Sequence, residues 1–368
     1  MAEPTRLGVD GASPYEVVVG HDVIGELPAM LGPGVRRVAV VHPVALQGLA
    51  QKVGSELPDS VEVLPLVLPD GERAKTASVA AEAWEALGRA GFTRSDAVVT
   101  LGGGATTDMG GFIAATWLRG VRVVHVPTTL LAMVDAAVGG KTGMNTGAGK
   151  NLVGAFHEPA GVVCDLEALH TLPAAELVAG LGEVVKCGFI ADPEILRLVQ
   201  EDPADAVDPS SQRLRELAVR AIQAKIHVVV DDLKETGGAG GHPGREALNY
   251  GHTMGHAIER ASDYSVRHGE AVSLGMVYVA ELARLAGRLD DRTAALHAET
   301  LAGVGLPTQW DAAPFDDLLA TMRVDKKSRG DRLRFVVLDG VAKPAILEDP
   351  DESLLRAAYD HLSGKAQS

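Results

Sequence analysis

The first half of the chain alternates short apolar runs with helical segments, and this alternation limits the possible folds more than any other feature. Three runs are each followed within a few residues by a helical segment, and two more lie further along. They are residues 35–42, 61–68, 96–101, 121–126 and 161–165. Strands separated by helices usually form a parallel sheet covered by helices. We therefore predict an α/β fold, a Rossmann-like parallel-sheet domain over residues 1–176, with an edge strand or hairpin at 15–23.

A glycine-rich turn, GGGATTDMGG at residues 102–111, follows one predicted strand directly and opens a helix. At the carboxyl end of a parallel strand, glycines let the backbone approach a phosphate, and the helix start supplies N–H donors. The spacing is not the usual G-x-G-x-x-G, so a tight turn without a ligand is the alternative. Asp108 is expected either to cap the helix or to contact a cofactor.

Polar side chains gather again between the predicted strands at 121–126 and 161–165. GGKTG at 139–143 resembles a phosphate loop, but Asp135 stands where that loop requires its first glycine, which argues against a nucleoside triphosphate site. Lysines and amides in backbone that we expect to be flexible still suit an anionic substrate. The polar residues are Thr128, Thr129, Asp135, Lys141, Asn145, Lys150 and Asn151.

From about Glu176 the sequence changes to long amphipathic helices, so we expect a second, mainly α-helical domain over residues 177–368. Glu183 and Lys186 lie three residues apart on the first of these helices, among apolar neighbours. Buried charges need partners, and a metal would satisfy Glu183, whereas a surface ion pair is the alternative. The glycine-rich stretch 236–244 predicts a flexible loop without a chemical signal of its own.

Three histidines dominate the second half. His252 and His256 lie four residues apart, so they share one face of a predicted helix, and His268 follows a break that lets it return to the same space. With Glu259 and Glu270 nearby, they offer the donors that zinc or a similar divalent cation prefers. Two alternatives are a solvated histidine pair and histidines that act as acid–base groups without a metal.

Composition excludes several classes of protein. The net charge is -15 and no basic run is present, which argues against a nucleic-acid surface. No stretch approaches the ~20 apolar residues of a membrane span, and the N-terminus lacks an apolar signal core. We expect a cytoplasmic protein without membrane or nucleic-acid partners. Cys164 and Cys187 lack metal-binding spacing and are expected to be reduced thiols in the core.

Together, several long motifs in one order resemble 3-dehydroquinate synthase, a family of sugar-phosphate cyclases. The resemblance covers the chain from about Glu72 to Leu338. It implies an N-terminal α/β domain that binds NAD, a mostly helical domain that binds metal and substrate, an active site between them, and a homodimer. The motifs are GGGATTDMGGFIAATWLRG, VPTTLLAMVDAAVGGKTGMN, GKNLVGAF, LPAAELVAGLGEVVK, LNYGHTMGHAIE and RHGEAV.

The reaction that this resemblance implies converts 3-deoxy-D-arabino-heptulosonate 7-phosphate to 3-dehydroquinate and phosphate, a step of the shikimate pathway. NAD oxidises a ring hydroxyl, and the resulting ketone acidifies the neighbouring C–H, so that phosphate leaves by elimination. NADH then returns the hydride, and ring opening with an internal aldol reaction closes the carbocycle. A divalent metal, Zn or Co, would stabilise the alkoxide during hydride transfer.

The resemblance also implies roles for individual residues. The implied metal ligands are Glu183, His252 and His268, so the pair four residues apart does not supply both histidine ligands, and His256 handles protons or lies near the phosphate. The implied catalytic residues are Asp135, Lys141, Lys186, Lys225, Arg245, Asn249 and His256. The implied substrate-binding residues are Lys150, Asn151, Glu235, Lys326 and Arg119, the last of them contributed across a dimer. The implied NAD-binding residues are Glu72, Lys75, Gly103, Gly104, Asp108, Thr128, Thr129, Lys141 and Lys150.

Two departures from the family pattern concern the cofactor. The usual GGGVVGD reads GGGATTD here, which places Thr106 and Thr107 beside the expected NAD site, and His42 stands where an aspartate often lies near the adenosine ribose.

Three alternatives to the family reaction stay open. They are a sister cyclase acting on sedoheptulose 7-phosphate or an aminated heptulosonate, a metal-dependent polyol dehydrogenase, and a non-catalytic NAD-binding protein. Arg245 and Asn249 favour a substrate that carries a carboxylate, which the aminated analogue also has. The lysines would be unexplained in a polyol dehydrogenase.

Overall fold

The computed structural model describes residues 3–232, 243–326 and 332–365, except for the side chains of 231 and 324–326. It divides into two compact units, Met1–Leu172 and Pro173–Ser368. The division falls just before the helix that opens the second unit, slightly ahead of the expected boundary at 176. None of the described helices combines the length and the apolar character that a membrane span requires.

The first unit is an α/β structure around a seven-stranded sheet with the order β1-β2-β9-β6-β5-β3-β4. All neighbouring strands pair in parallel except the hairpin formed by β1 and β2. The predicted parallel α/β fold is therefore confirmed. The strands are β1 (Thr5–Val9), β2 (Tyr15–Gly20), β3 (Arg37–Pro43), β4 (Glu62–Leu68), β5 (Ala97–Gly102), β6 (Arg122–Pro127), β7 (Lys141–Thr146), β8 (Gly149–Phe156) and β9 (Gly161–Asp165). The helices are α1 (Leu27–Leu31), α2 (Gln47–Ser55), α3 (Ala77–Arg89) and α4 (Gly104–Thr116).

The central strands are apolar at nearly every position because helices cover both faces of the sheet. Along β3, Val38 and Val40 pack with α1 and α2 on one face, whereas Ala39 and Val41 pack with α3 and α4 on the other. Successive side chains of a strand point to opposite faces, so a strand buried on both sides keeps few polar positions. This burial explains the uninterrupted apolar runs in the sequence.

The prediction of flexible backbone at 139–151 is wrong. β7 and β8 form an antiparallel hairpin in which Lys141 pairs with Phe156. Gly143 and Gly154 face each other, and a Cβ on Gly154 would lie 2.2 Å from the carbonyl oxygen of Thr142. The glycines that suggest flexibility in the sequence are required because the two strands approach so closely.

The second unit is mainly helical, and α10 is its most buried helix. It packs against α5, α9, α11 and α13. Its helices are α5 (Ala174–Ile190), α6 (Pro193–Glu201), α7 (Pro203–Ala206), α8 (Gln212–Asp231), α9 (His252–Ala261), α10 (His268–Leu285), α11 (Asp291–Gly303), α12 (Phe315–Lys326) and α13 (Glu352–Leu362). A hairpin of β10 (Arg334–Leu338) and β11 (Pro344–Glu348) completes the described part. Residues 325 and 326, expected in a charged loop, belong to α12 instead.

The two cysteines are buried free thiols, as predicted. Cys164 lies in β9 and Cys187 in α5, each inside its own unit. Burial raises the pKa of the Cys164 thiol, and the neighbouring Asp165 carboxylate adds to this rise. Both residues therefore behave as small core side chains and not as nucleophiles.

Candidate active site

Three helices of the second unit bring Glu183, His252 and His268 together. Glu183 lies within α5, while His252 and His268 are the first residues of α9 and α10. The carboxylate oxygen Oε1 of Glu183 is 3.5 Å from Nε2 of His252 and 3.6 Å from Nε2 of His268. One ligand atom from each residue lies within 4.8 Å of the other two. This is the set that the family resemblance implies as metal ligands.

The second nitrogen of each histidine faces an acceptor. Nδ1 of His252 is 3.2 Å from the carbonyl oxygen of Tyr250, and Nδ1 of His268 is 3.3 Å from Oε2 of Glu259. An acceptor at Nδ1 favours the tautomer that carries its proton there, so the Nε2 lone pair points toward Glu183. Glu259 is itself buried, and a carboxylate behind a ligating histidine is the usual support of a metal site.

Glu183 provides the test of whether a cation fits. Within the described residues, its Oε1 is buried and accepts no hydrogen bond. A buried carboxylate oxygen without a donor is unfavourable by about 1–3 kcal/mol or more, which a cation between Oε1 and the two Nε2 atoms would remove. One carboxylate and two imidazoles form a donor set that suits Zn²⁺ or Co²⁺, with further positions left for substrate or water.

The charges around Glu183 agree with this reading. Burial opposes its ionisation most strongly, but Lys186, paired with the other carboxylate oxygen, together with His252 and His268 holds the pKa of Glu183 well below its usual value. Burial and Lys186 lower the pKa of His252 to about 3, so this imidazole is neutral, as a ligand must be. Burial also acts on His268, but Glu183 and Glu259 together prevail and raise its pKa, so without a metal this imidazole carries a proton that a binding cation would displace. The carboxylates of Glu183 and Glu259 thus favour positive charge at this point, either a proton on His268 or a cation in its place.

Glycines allow the three helices to meet at the ligands. A Cβ on Gly269, next to His268, would lie 1.7 Å from the carbonyl oxygen of Ala179 in α5, and a Cβ on Gly182, next to Glu183, would lie 2.4 Å from the carbonyl oxygen of Gly269. Between α9 and α10, a Cβ on Gly275 would lie 1.9 Å from the carbonyl oxygen of Gly251. These crossings are in backbone contact, and each lies within a few residues of a ligand.

Cationic side chains are buried on the elements that pack beside the metal site. Lys186 on α5, Lys225 on α8 and Arg245 on the 3₁₀ segment Gly244–Asn249 are all buried, and these three elements pack together. Asn249 ends that 3₁₀ segment, three residues before the start of α9. Concentrated cations in an acidic protein favour an anionic ligand. His256 is exposed, with its ring centroid 5.4 Å from that of His252 and 6.1 Å from that of His268.

In the first unit, Lys75 is the centre of a polar cluster. Its buried ammonium donates to Asp108 Oδ2 at 2.6 Å and to Oδ1 of Asn151. Asn145 continues the cluster, since its amide donates to Glu72 at 2.6 Å and its oxygen accepts from the backbone N–H of Asn151 at 3.0 Å. Four residues to which the resemblance assigns roles are thereby joined. Asn145, which the sequence offered only as a polar group that suits an anion, connects two of the four.

The alternative role of Asp108 as a helix cap is wrong. Gly103 is the N-cap of α4, and Asp108 lies inside the helix. Burial raises the pKa of Asp108, Lys75 opposes that rise, and the charges of Asp135 and Glu72 add to it. Asp135, half-buried in the π-helical turn Ala132–Ala136, therefore lies within electrostatic reach of this cluster.

The glycine turn lies at the carboxyl end of β5, where α4 begins. Thr128 follows the neighbouring β6, and its backbone N–H donates to the carbonyl oxygen of Gly102 at 3.0 Å. A Cβ on Gly103 would lie 3.2 Å from the Thr129 side chain, so a larger side chain at position 103 would crowd Thr129. A glycine turn, a helix N-terminus and two threonines at a strand edge suit the pyrophosphate of a dinucleotide.

The threonines of GGGATTD turn away from this edge. Thr106 and Thr107 are both buried, and the hydroxyl of Thr107 donates to the carbonyl oxygen of Gly104 at 2.9 Å. A Cβ on Gly102 would lie 2.6 Å from Oγ1 of Thr106, so that side chain packs beneath the turn. The two threonines by which this turn departs from the family pattern therefore pack inside the turn. His42 is also buried, and its Nδ1 is 2.9 Å from the carbonyl oxygen of Pro43.

Other predicted residues lie elsewhere or outside the described part. Arg119 is exposed after the C-terminal end of α4, a helix length of roughly 20 Å from the glycine turn, with a φ of 69°. Lys141 is exposed at the start of β7, and Lys150 Nζ is 4.0 Å from Oε1 of Glu72. Glu235 lies outside the described residues, as do most of the predicted loop at 236–244 and the side chain of Lys326.

Comparison with protein families covers both units. The family description 3-dehydroquinate synthase N-terminal matches residues 65–179, and 3-dehydroquinate synthase C-terminal matches residues 180–328. The chain belongs to the 3-dehydroquinate synthase family. Curated 3-dehydroquinate synthases from Thermobifida fusca (strain YX) and Streptomyces avermitilis are 58% and 56% identical to it. The alignments cover 98% and 96% of this chain and 97% and 96% of those enzymes. The resemblance seen in the motifs is thus confirmed.

Solved structures similar to this member of the 3-dehydroquinate synthase family include related cyclases. A 2-deoxy-scyllo-inosose synthase complexed with carbaglucose-6-phosphate, NAD⁺ and Co²⁺ matches with a TM-score of 0.85 and 25% identity, over 97% of this chain and 100% of that one. The 2-epi-5-epi-valiolone synthase from Streptomyces hygroscopicus subsp. jinggangensis 5008, with NAD⁺ and Zn²⁺ bound, also matches with a TM-score of 0.85, at 26% identity over 95% and 96% of the two chains.

Proposed function

We propose that this protein converts 3-deoxy-D-arabino-heptulosonate 7-phosphate to 3-dehydroquinate and phosphate, using NAD and a divalent metal, Zn²⁺ or Co²⁺. The observation that carries the proposal is the combination, on packed helices, of a carboxylate and two imidazoles aimed at one point with three buried cations beside them. A dehydrogenase of simple polyols would need the first group and not the second. Identity of 55–58% to curated 3-dehydroquinate synthases supports the same choice.

When bound, the cofactors supply a reversible hydride acceptor and a Lewis acid for the hydroxyl that is oxidised. Glu183, His252 and His268 would hold the metal, and Glu259 fixes the orientation of His268. The glycine turn at 102–104 and the cluster around Lys75 would hold NAD, because they offer backbone approach and an ordered set of donors at the end of β5.

The remaining side chains orient the substrate and move its protons. Lys186, Lys225 and Arg245 would bind the carboxylate and the phosphate, since ammonium and guanidinium groups make charge-assisted hydrogen bonds to both kinds of anion. His256 is exposed next to the metal ligands and can reach a substrate held there, so we assign it proton transfer during elimination. Asp135, Lys141, Lys150, Asn151 and Asn249 are proposed as further contacts to the substrate.

We also propose that the protein acts in the shikimate pathway as a phosphate-eliminating lyase. A cytoplasmic homodimer in which Arg119 serves the partner's site stays a prediction. The same holds for Glu235 and Lys326 as substrate-binding residues.

The decisive experiment measures phosphate release from 3-deoxy-D-arabino-heptulosonate 7-phosphate with catalytic NAD, with and without a chelator. We expect release that needs metal, consumes no net NAD and forms 3-dehydroquinate. Turnover of sedoheptulose 7-phosphate or of the aminated heptulosonate in its place would indicate a sister cyclase. Net formation of NADH from a simple polyol would indicate a dehydrogenase and overturn the proposal.

A further inference from the structure

A second group of metal-binding side chains lies in the first unit, apart from the residues of the proposed reaction. It consists of His21, Glu167 and His170, which offer one ligand atom each within 4.8 Å of one another. Nδ1 of His21 is 2.7 Å from Oε1 of Glu167, and Nε2 of His170 is 3.9 Å from Oε2 of the same carboxylate. The two imidazole rings have centroids 6.5 Å apart.

The fold places these side chains side by side. β2 and β9 are parallel neighbours in which Gly20 pairs with Asp165, so His21 and the residues after Asp165 leave the same edge of the sheet. Glu167 and His170 are three residues apart in the 3₁₀ segment Leu166–Thr171. Since a 3₁₀ helix has three residues per turn, side chains at this spacing lie one above the other.

A buried carboxylate holds both segments in this arrangement. Oδ1 of Asp165 accepts from the backbone N–H of Asp22 at 3.0 Å and from that of Glu167 at 3.1 Å. Asp165 therefore ties the residue after His21 to the residue that carries the carboxylate of the cluster. The backbone of both segments is therefore held in place before any cation binds, which reduces the entropy lost on binding.

The donor set selects the class of cation. Two imidazoles and one carboxylate favour Zn²⁺, Co²⁺, Ni²⁺ or Cu²⁺ over Mg²⁺ or Ca²⁺, which prefer oxygen ligands. Ligand atoms around tetrahedral zinc lie roughly 3.3 Å apart, given metal–ligand distances of ~2.0–2.1 Å. The side chains of His21, Glu167 and His170 are 24%, 44% and 39% exposed, so small rotations can close the remaining gap.

We propose that His21, Glu167 and His170 form a second transition-metal site, filled by Zn²⁺ with water in the remaining position. Because its carboxylate is partly exposed, this site exchanges its metal more readily than the group at Glu183, whose carboxylate is buried. The bound cation joins the loop after β2 to the last 3₁₀ segment of the first unit, and it stabilises that unit by mass action. The proposal is independent of the reaction assigned above.

The test adds Zn²⁺ to untagged holoenzyme that already carries one equivalent of metal and measures further binding by calorimetry and metal analysis. We expect a second equivalent in the wild type, and binding weakened more than about tenfold in His21→Ala and His170→Ala because one of three ligands is lost. His361→Ala, an exposed histidine on α13, is the matched control and should bind as the wild type does.

Thermal unfolding provides a second readout. Excess Zn²⁺ should raise the Tm of the wild type and of His361→Ala further than that of His170→Ala, since ligand binding to the folded state alone stabilises it. No second equivalent in the wild type would overturn the proposal. A second equivalent that persists in both His21→Ala and His170→Ala would place the metal elsewhere and overturn it equally.

Discussion

The contact between α5 and α10 leads to the sharpest prediction, which concerns Gly269→Ala. The new Cβ would lie 1.7 Å from the carbonyl oxygen of Ala179, and 2.5 Å from its carbonyl carbon. Cβ atoms essentially never approach another heavy atom closer than 3.0 Å, so the helices must separate by about 1 Å or more. Both partners are backbone, and no side chain can rotate to relieve the overlap.

Gly269→Ala is expected to reduce both the stability of the protein and its affinity for metal. Overpacking of this kind destabilises a protein by about 1–3 kcal/mol, and this loss of stability should appear in the metal-free protein. The second effect is a loss of metal affinity. Metal–ligand distances tolerate changes of only about 0.2 Å, and Glu183 and His268 belong to α5 and α10, the two helices that move apart. We expect metal affinity to fall by at least about tenfold, which is the usual effect of mutating residues that orient a metal ligand.

The measurements are urea unfolding of the metal-free protein and competition for metal with a chromogenic chelator. A graded series makes the test stricter, because a Cβ on Gly182 would lie 2.4 Å from its nearest neighbour and one on Gly255 3.0 Å. The losses should decrease from Gly269→Ala through Gly182→Ala to Gly255→Ala. Gly303→Ala, at the end of α11 with only an ordinary contact at 3.6 Å, is the control, which should leave metal affinity unchanged and should not lower stability. Wild-type metal affinity in Gly269→Ala would refute the argument that this contact places the ligands.

Three further predictions concern single side chains. Glu259→Gln should weaken metal binding about 10- to 100-fold in chelator competition, because it removes the negative acceptor behind His268. Lys141→Ala should raise KM far more than it changes the free energy of unfolding, since this exposed lysine is assigned to anion binding. His297 is fully buried, and its pKa is lowered to about 4, so stability measured in urea should fall as the pH drops from 6.5 toward 4. The slope is at most ~1.4 kcal/mol per pH unit, and His297→Gln should flatten it.

The sign of the pH effect follows from which state binds the proton. In the unfolded chain His297 is protonated near pH 6.5. In the folded protein burial outweighs the backbone hydrogen bonds of His297 to Thr293 and Ala294, and keeps the imidazole neutral down to about pH 4. The unfolded state therefore gains protons first as the pH falls. In the folded protein the His297 ring stacks on Phe189 with the ring centroids 3.6 Å apart, and Nε2 of His297 is 2.8 Å from the hydroxyl of Tyr250. A slope unchanged in His297→Gln would assign the effect to other groups.

Controls separate these effects from general damage. Glu299→Gln, at an exposed position of α11, should leave metal affinity unchanged and isolates the role of Glu259. For Lys141→Ala, unchanged KM with reduced stability would show that the lysine supports the β7–β8 hairpin and does not contact the substrate.

The elements of the first unit were largely predictable, since both-sided burial leaves an uninterrupted apolar run and parallel strands alternate with helices. The hairpin of β7 and β8 was not, because glycines that enable close pairing have the same composition as a flexible loop. β11 was missed as well, in a short segment with partly buried residues and a proline at its start. In both cases the pattern of apolar residues is too weak to specify a strand.

The candidate site shows the same division. The chemistry of the ligands was visible in the sequence, because two histidines four residues apart, a third beyond a break and a glutamate among apolar residues are unusual. The spacing alone nevertheless favoured His256 as the partner of His252, and only the family motifs placed Glu183, already a candidate ligand, with His252 and His268. The structure brings Glu183 to 3.5 Å from His252, although the two lie on helices far apart in the chain.

The sequence by itself determined the class of fold, the donor types and the family, since these depend on residue identity and on periodicity within one element. Tertiary structure decided which carboxylate meets which imidazole, that Glu259 supports His268, and that Asn145 joins the cluster around Lys75. It also brought His21 beside Glu167, 146 residues away. Contacts between distant segments depend on how closely helices and strands pack, and glycines such as Gly269 permit that approach without revealing in the sequence which partner they meet.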